Sequence, residues 1–151
     1  MGNCSAKSTD GKVILGLSVH YLSTTFYEEA KKHLSALGKD VSTAKIYDIE
    51  NLSEPTGLIR NKGKDVHSKE DGRLGAAYID CLEEEDDVGE ATHMLSYSWG
   101  NKLTDILTAL NGYCKNNNLK TKRTYIWICC LCNNQNRLKE MVEKGIYESV
   151  E

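Results

Sequence analysis

The sequence predicts an α/β fold, an open and mainly parallel sheet with flanking helices, and three stretches carry that expectation. Thr92 to Ser98 and Thr124 to Cys132 have the apolar character of buried strands. Between them Leu103, Ile106, Leu107, Leu110 and Cys114 recur at helical spacing, on one face of a 3.6-residue period. Together they read as one βαβ unit, because a strand without alternation has to be covered on both faces. In an open parallel sheet, ligands sit beyond the carboxyl ends of the strands. Here those ends are Ser98-Trp99-Gly100-Asn101 and Asn133-Asn134-Gln135.

The rest of the chain divides around this unit. Residues 1–11 form a tail, 12–91 an N-terminal α/β region with a polar linker at 50–71, and 92–151 the core. Lys12 to Val19 is an apolar candidate strand. Thr25 and Glu28 have the spacing of a capping box, and Phe26, Ala30, Leu34 and Leu37 continue it as an amphipathic helix closed by Gly38. Thr43 to Ile49 alternates like a half-buried strand, so the first half repeats the order strand, helix, strand. Glu50 to Asp71, with Pro55, Gly57 and Gly63, predicts a long surface loop. Leu74, Ala77, Tyr78, Cys81 and Leu82 predict a helix, with a strand over Ala76 to Asp80 as the alternative, and Glu83 to Asp87 a solvated acidic turn. Asn101 is the expected N-cap of the helix from Leu103 to Cys114.

Composition narrows the function classes. With 151 residues, 40% of them apolar and one proline, the chain is long enough for one packed core. The net charge is 19 − 22 = −3, and Lys120 to Arg123 is the single basic cluster, so no nucleic-acid partner is expected. The six cysteines fall mostly on apolar stretches, as reduced thiols of an intracellular protein do. On a strand Cys130 and Cys132 would share a face while Cys129 points away, and no second ligand pair lies elsewhere, so no metal is expected. Gly2, followed by Asn3 and Cys4, resembles a dual-acylation terminus, with myristate on Gly2 and palmitate on Cys4. That expectation places the protein on the cytosolic face of a membrane.

Leu95-Ser96-Tyr97-Ser98-Trp99-Gly100 resembles the opening strand of heterokaryon-incompatibility (HET) domains and, more loosely, of TIR domains. Trp127-Ile128 with Cys132, Asn134 and Gln135 resembles the second HET signature. Uncharacterised multidomain proteins of algae and other protists are similar over Asp71 to Tyr78, Thr92 to Gly100 and Tyr125 to Gln135. The resemblance implies a TIR/flavodoxin-like sheet in a signalling or assembly module with protein partners or self-association. It also implies an alternative, an enzyme that cleaves NAD or binds a nucleotide between Trp99 and Asn134. Two departures weigh on that alternative. Cys129 stands where HET domains carry an acid, and the chain ends at Glu151, before the helix that bears the TIR glutamate. A truncated sheet and no catalytic residue are therefore expected, and NAD would be a cofactor under the alternative only. Ser96 and Ser98 lack the glycine elbow and base of a hydrolase nucleophile.

Overall fold

The computed structural model describes residues 11–55 and 57–145. Gly2 and Cys4, and with them the acylation expectation, lie outside the described residues. Four strands form one open mixed sheet: β1 Leu15–Ser18, β2 Val88–Glu90, β3 His93–Met94 and β4 Tyr125–Trp127, in the order β2-β1-β4-β3. The β3–β4 pair is parallel, His93 facing Ile126 and Met94 facing Trp127, with helix α5 (Leu103–Asn116) between them in sequence. The expected βαβ order is present, but its first strand ends at Met94 where the sequence predicts a strand to Ser98. Its sheet is nevertheless not mainly parallel, because β1 runs antiparallel to both β2 and β4.

That reversal follows from what happens after β1. Ser18 ends the strand and caps a helix, its hydroxyl accepting the Tyr21 amide at 2.9 Å. Helix α1 (Val19–Tyr21) runs through a π-helical stretch, Leu22–Phe26, into α2 (Tyr27–Ala36). Thr25 is therefore inside the helix rather than its cap. The helix is correctly placed but starts six residues early. A parallel partner for β1 would have to come from Thr43 to Ile49, and that segment is instead α3 (Ile46–Ile49). The amides a strand would offer are taken: Asp48 accepts the Lys45 N–H at 2.8 Å, and Ile46 and Tyr47 donate to the Asn101 and Trp99 carbonyls at 3.2 Å each.

The polar stretch from Glu50 to Asp71 is not simply a surface loop. It contains α4 (Leu58–Gly63), with Ile59 and Arg60 buried. Glu50, 1% exposed, accepts the Arg60 Nε at 2.5 Å and the Arg60 backbone N–H at 2.9 Å, while Arg60 Nη2 reaches the Asn51 and Glu54 carbonyls. Gly57 makes room for that carboxylate, since a Cβ there would lie 2.2 Å from Glu50 Oε1. The expected helix from Leu74 to Leu82 is extended up to a short 3₁₀ turn, Tyr78–Cys81. Gly63 explains this: its carbonyl takes the Ala76 N–H, and the two backbones approach so closely that a Cβ on Gly63 would lie 2.1 Å from the Ala76 oxygen.

One apolar core joins these pieces, with Leu17 and Ile126 from the sheet, Ala30 and Leu34 from α2, Leu110 from α5, and Tyr78 between them. Tyr78 sits edge-on to Phe26 at 5.6 Å, an arrangement aromatic pairs favour. The acidic turn is held by the basic cluster, Arg123 Nη1 to Asp86 at 2.7 Å and Lys122 to Asp86 at 3.3 Å. Among the described residues no helix is long and apolar enough to cross a membrane.

Candidate functional site

The two expected binding loops do lie at the carboxyl ends of β3 and β4, and each is committed to a neighbour. In the first, Asn101 Oδ1 accepts the Ser98 N–H at 2.7 Å and Ser98 Oγ accepts the Gly100 N–H at 3.2 Å, closing a tight turn. Asn101 is thus a turn residue rather than a cap, and Lys102 occupies the N-cap position of α5. Trp99 leans on Tyr47, ring centres 5.9 Å apart, while its carbonyl and that of Asn101 cover the first amides of α3. A helix start is an anion site only while such amides are free. Here α3's are not.

The second loop begins earlier than expected. The strand from Tyr125 stops at Trp127, and Cys129–Cys132 forms one helical turn, α6, so Cys130 and Cys132 do not share a strand face. Asn133 is exposed. Asn134 caps α7 (Gln135–Glu143) by accepting the Asn136 N–H at 3.1 Å, and donates to the Gly75 carbonyl at 2.8 Å. Gln135 is 3% exposed and donates to the Cys129 carbonyl at 3.4 Å, and its buried Oε1 has no partner among the described residues. The loops therefore face separate neighbours, the first α3 and the second the Gly75 turn.

What joins them is Tyr97, which the sequence did not single out as a site residue. Its hydroxyl shares a hydrogen bond with Cys129 Sγ at 3.2 Å and accepts the Cys130 N–H at 3.1 Å. Burial pushes this phenol, and the Cys130 thiol beside it, far up from their ordinary values. A second connection runs from Asp71 to Tyr78 onto α7. Arg137 grips Asp71 with two bonds of 2.9 and 3.1 Å and donates to the Leu74 carbonyl, and Asn136 donates to the Ala76 carbonyl at 3.2 Å. Arg137, and then the Arg73 amide, hold the Asp71 carboxyl well below the usual range. The carboxylates after the second strand are engaged too: Glu140 pairs with Arg73 at 3.1 Å and Glu143 with Lys139 at 3.8 Å, while Glu148 lies outside the described residues.

One further polar cluster lies elsewhere. Tyr78 donates to Glu29 at 2.6 Å and meets the Tyr21 hydroxyl at 2.8 Å, and Lys62 bonds the other Glu29 oxygen at 2.7 Å while standing 5.4 Å over the Tyr78 ring. Burial works to lower the Lys62 pKa, but its bond to Glu29 leads the opposing effects and the net direction is up. Every member has its partner inside the cluster, which makes it a structural knot bracing α2 against α4 and the 3₁₀ turn. A groove of about 570 Å³ between the π-helical stretch and α5, lined by Ser23, Tyr27, Leu107, Asn111 and Lys115 among others, includes none of the expected binding residues. Among the described residues no group of three His, Cys, Asp or Glu side chains is placed to hold a metal ion. No family model, no curated protein and no solved structure matches this chain.

Proposed function

We propose that this chain is a non-catalytic signalling or assembly module of TIR/HET-like type, tethered to the cytosolic face of a membrane through an acylated Gly2 and Cys4. The observation that carries the proposal is the convergence of the three stretches on which the resemblance rests. Tyr97 of the Thr92 to Gly100 stretch binds Cys129 and Cys130, and Asn134 at the end of the Tyr125 to Gln135 stretch binds Gly75 of the Asp71 to Tyr78 stretch. Segments remote in sequence thus form one bonded body at the carboxyl ends of β3 and β4. Tyr97 and Asn134 commit their polar groups to the other segments, as in a braced docking surface. Under this proposal the parallel β3–α5–β4 unit is the part shared with a TIR/flavodoxin-like sheet, and the reversed β1 is this chain's own departure.

Two features suit a tethered assembly module. The amino end of β1 lies at the same end of the sheet as this body, since the Cys132 thiol donates to the Leu15 carbonyl, and Val13 and Leu15 are exposed there. Strand β3 ends the strand order, so its outer edge offers backbone groups to a partner strand. The test combines three measurements on the full chain. Concentration-dependent self-association and loss of membrane partition in Gly2→Ala are expected, with no release of nicotinamide from NAD. NAD turnover abolished by Glu140→Gln or Glu143→Gln would establish the enzyme alternative instead. A strictly monomeric protein with unmodified Gly2 in cells active in myristoyl transfer would remove both the assembly and the tether.

A further inference from the structure

The turn after β4 holds a chemistry that the proposed function does not use. Cys129-Cys130-Leu131-Cys132 has the form Cys-x-x-Cys, and because α6 is helical, residues 129 and 132 lie on one face while Cys130 turns into the core at 1% exposure. Three residues of α-helix advance about 4.5 Å and rotate almost a full turn, which puts the two Cα atoms about 5 Å apart. That falls inside the span a disulfide bridges without backbone movement. Cys132 Sγ accepts the Ile128 N–H at 3.4 Å, which folds it back over the start of the turn. Both cysteines are free thiols and partly exposed.

We infer that Cys129 and Cys132 are a redox-active dithiol, closed to an intramolecular disulfide by a low-molecular-weight disulfide of the glutathione class. Cys129, as thiolate, attacks one sulfur of that disulfide; the S–S bond breaks and its other half leaves as thiolate and takes a proton from water. Cys132 then attacks Cys129 Sγ, a new S–S bond forms, and the second thiol departs with the proton Cys132 gives up. Two protein thiols are oxidised and one small disulfide is reduced to two thiols. The order follows from the surroundings: Cys132 is buried enough for its thiol to be pushed up to about 12, with the Ile128 amide opposing, so it is the slower, resolving partner.

Closure has a structural consequence. In the reduced state Cys129 Sγ is bonded to Tyr97 and the Cys132 thiol to the Leu15 carbonyl, so the dithiol ties the β3 exit loop and β1 to the β4 turn. Oxidation turns Cys129 Sγ toward Cys132 and removes the proton donated to Leu15. Both ties are lost, and of the two bonds Tyr97 makes to the β4 turn only the one from the Cys130 amide remains.

The experiment equilibrates the full-length protein in buffers of reduced and oxidised glutathione, alkylates the remaining thiols and maps the peptides by mass. Expected are loss of two alkylatable thiols, a bridge joining 129 to 132, and an opening that reverses on adding reduced glutathione. Cys129→Ser should abolish modification at the turn, Cys132→Ser should stop at a glutathione adduct on Cys129, and Cys130→Ser should still close. Hydrogen exchange of Leu95 to Asn101 should quicken at least severalfold on closure. Circular dichroism of each variant shows whether it is folded, and the wild-type mapping stands without any variant. A bridge through Cys130, or a wild-type turn that stays fully reduced while Cys81 reacts, would overturn the assignment.

Discussion

The β3–α5–β4 unit and the segment from Glu50 to Leu82 are of similar length, yet only the first keeps the order of elements its sequence suggests, with both strands shorter than expected. The difference lies in what holds each one. Helix α5 is fixed by Leu103, Ile106, Leu107, Leu110 and Cys114, a stripe whose period is itself the signal. The segment from Glu50 to Leu82 is fixed by an internal ion pair, by Gly57 accommodating a carboxylate and by Gly63 against the Ala76 backbone. Those contacts use the residue types that ordinarily mark solvated loops. Apolar periodicity therefore reports burial well, whereas a buried polar clamp looks like a surface.

The largest expected effect tests that contrast. Arg60→Ala leaves Glu50 charged and fully enclosed, and breaking one side of a buried pair costs about 3–5 kcal/mol. Leu110→Ala, at 0% exposure in the apolar unit, is expected to cost about 3 kcal/mol through lost burial and a residual cavity. Urea unfolding of both variants checks the pair. Restoring most of the stability with Glu50→Gln combined with Arg60→Met would show that the loss is the orphaned charge. An Arg60→Ala variant within about 1 kcal/mol of wild type would mean that the polar segment is held by something else.

The same contrast explains which site residues were legible. Trp99 and Asn134 were visible as residues of distinctive type after the two expected strands, but the strands end earlier, β3 at Met94 and β4 at Trp127, so both lie in the loops beyond them. Their partners were not visible, because Tyr47 and Gly75 carry no local signature and lie 52 and 59 residues away in sequence. Tyr97 lies within Leu95 to Gly100, but its alternate position predicts only a side-chain direction, not a bond to Cys129. The early end of β4 was hidden for a different reason. Ile128 to Cys132 is apolar throughout, and a short apolar run fits a strand or a helical turn equally well.

A smaller effect separates the real start of the first helix from the expected one. Ser18→Ala removes the cap on the Tyr21 amide and the bond its hydroxyl donates to the Asp86 carbonyl, with a cost of about 1 kcal/mol. Thr25→Ala should be near neutral, because Thr25 is exposed and interior to the helix that runs from Val19 through the π-helical stretch. Thermal melts of the two variants decide it. If Thr25→Ala were the costlier change, the helix would begin where the Thr25 and Glu28 spacing suggested.

The smallest effect is a pH dependence, and it comes from the unit that was otherwise the most legible. His93 on β3 is buried beneath α5, with Nε2 3.2 Å from the Tyr113 hydroxyl, Nδ1 2.8 Å from the Thr92 hydroxyl and the Tyr113 ring edge-on at 5.3 Å. Its bonded partners are neutral, and burial lowers its pKa from the ordinary value. The sign then follows. Below the unfolded-state value, about 6.5, the unfolded chain binds the proton more readily than the folded one, so acid draws the equilibrium toward unfolding. Stability should fall as pH drops through about 6.5 and level off once the folded-state value is passed, a window set chiefly by burial. His93→Gln can keep one hydrogen bond without a titrating group, so the difference between wild type and variant isolates this histidine from the carboxylates, which act at lower pH. Urea midpoints at about pH 7.5 and about pH 5.5 should differ more for wild type than for His93→Gln. Equal differences would mean that His93 takes up its proton as readily in the fold as out of it, and that the β3–α5 contact is looser than its apolar stripe implies.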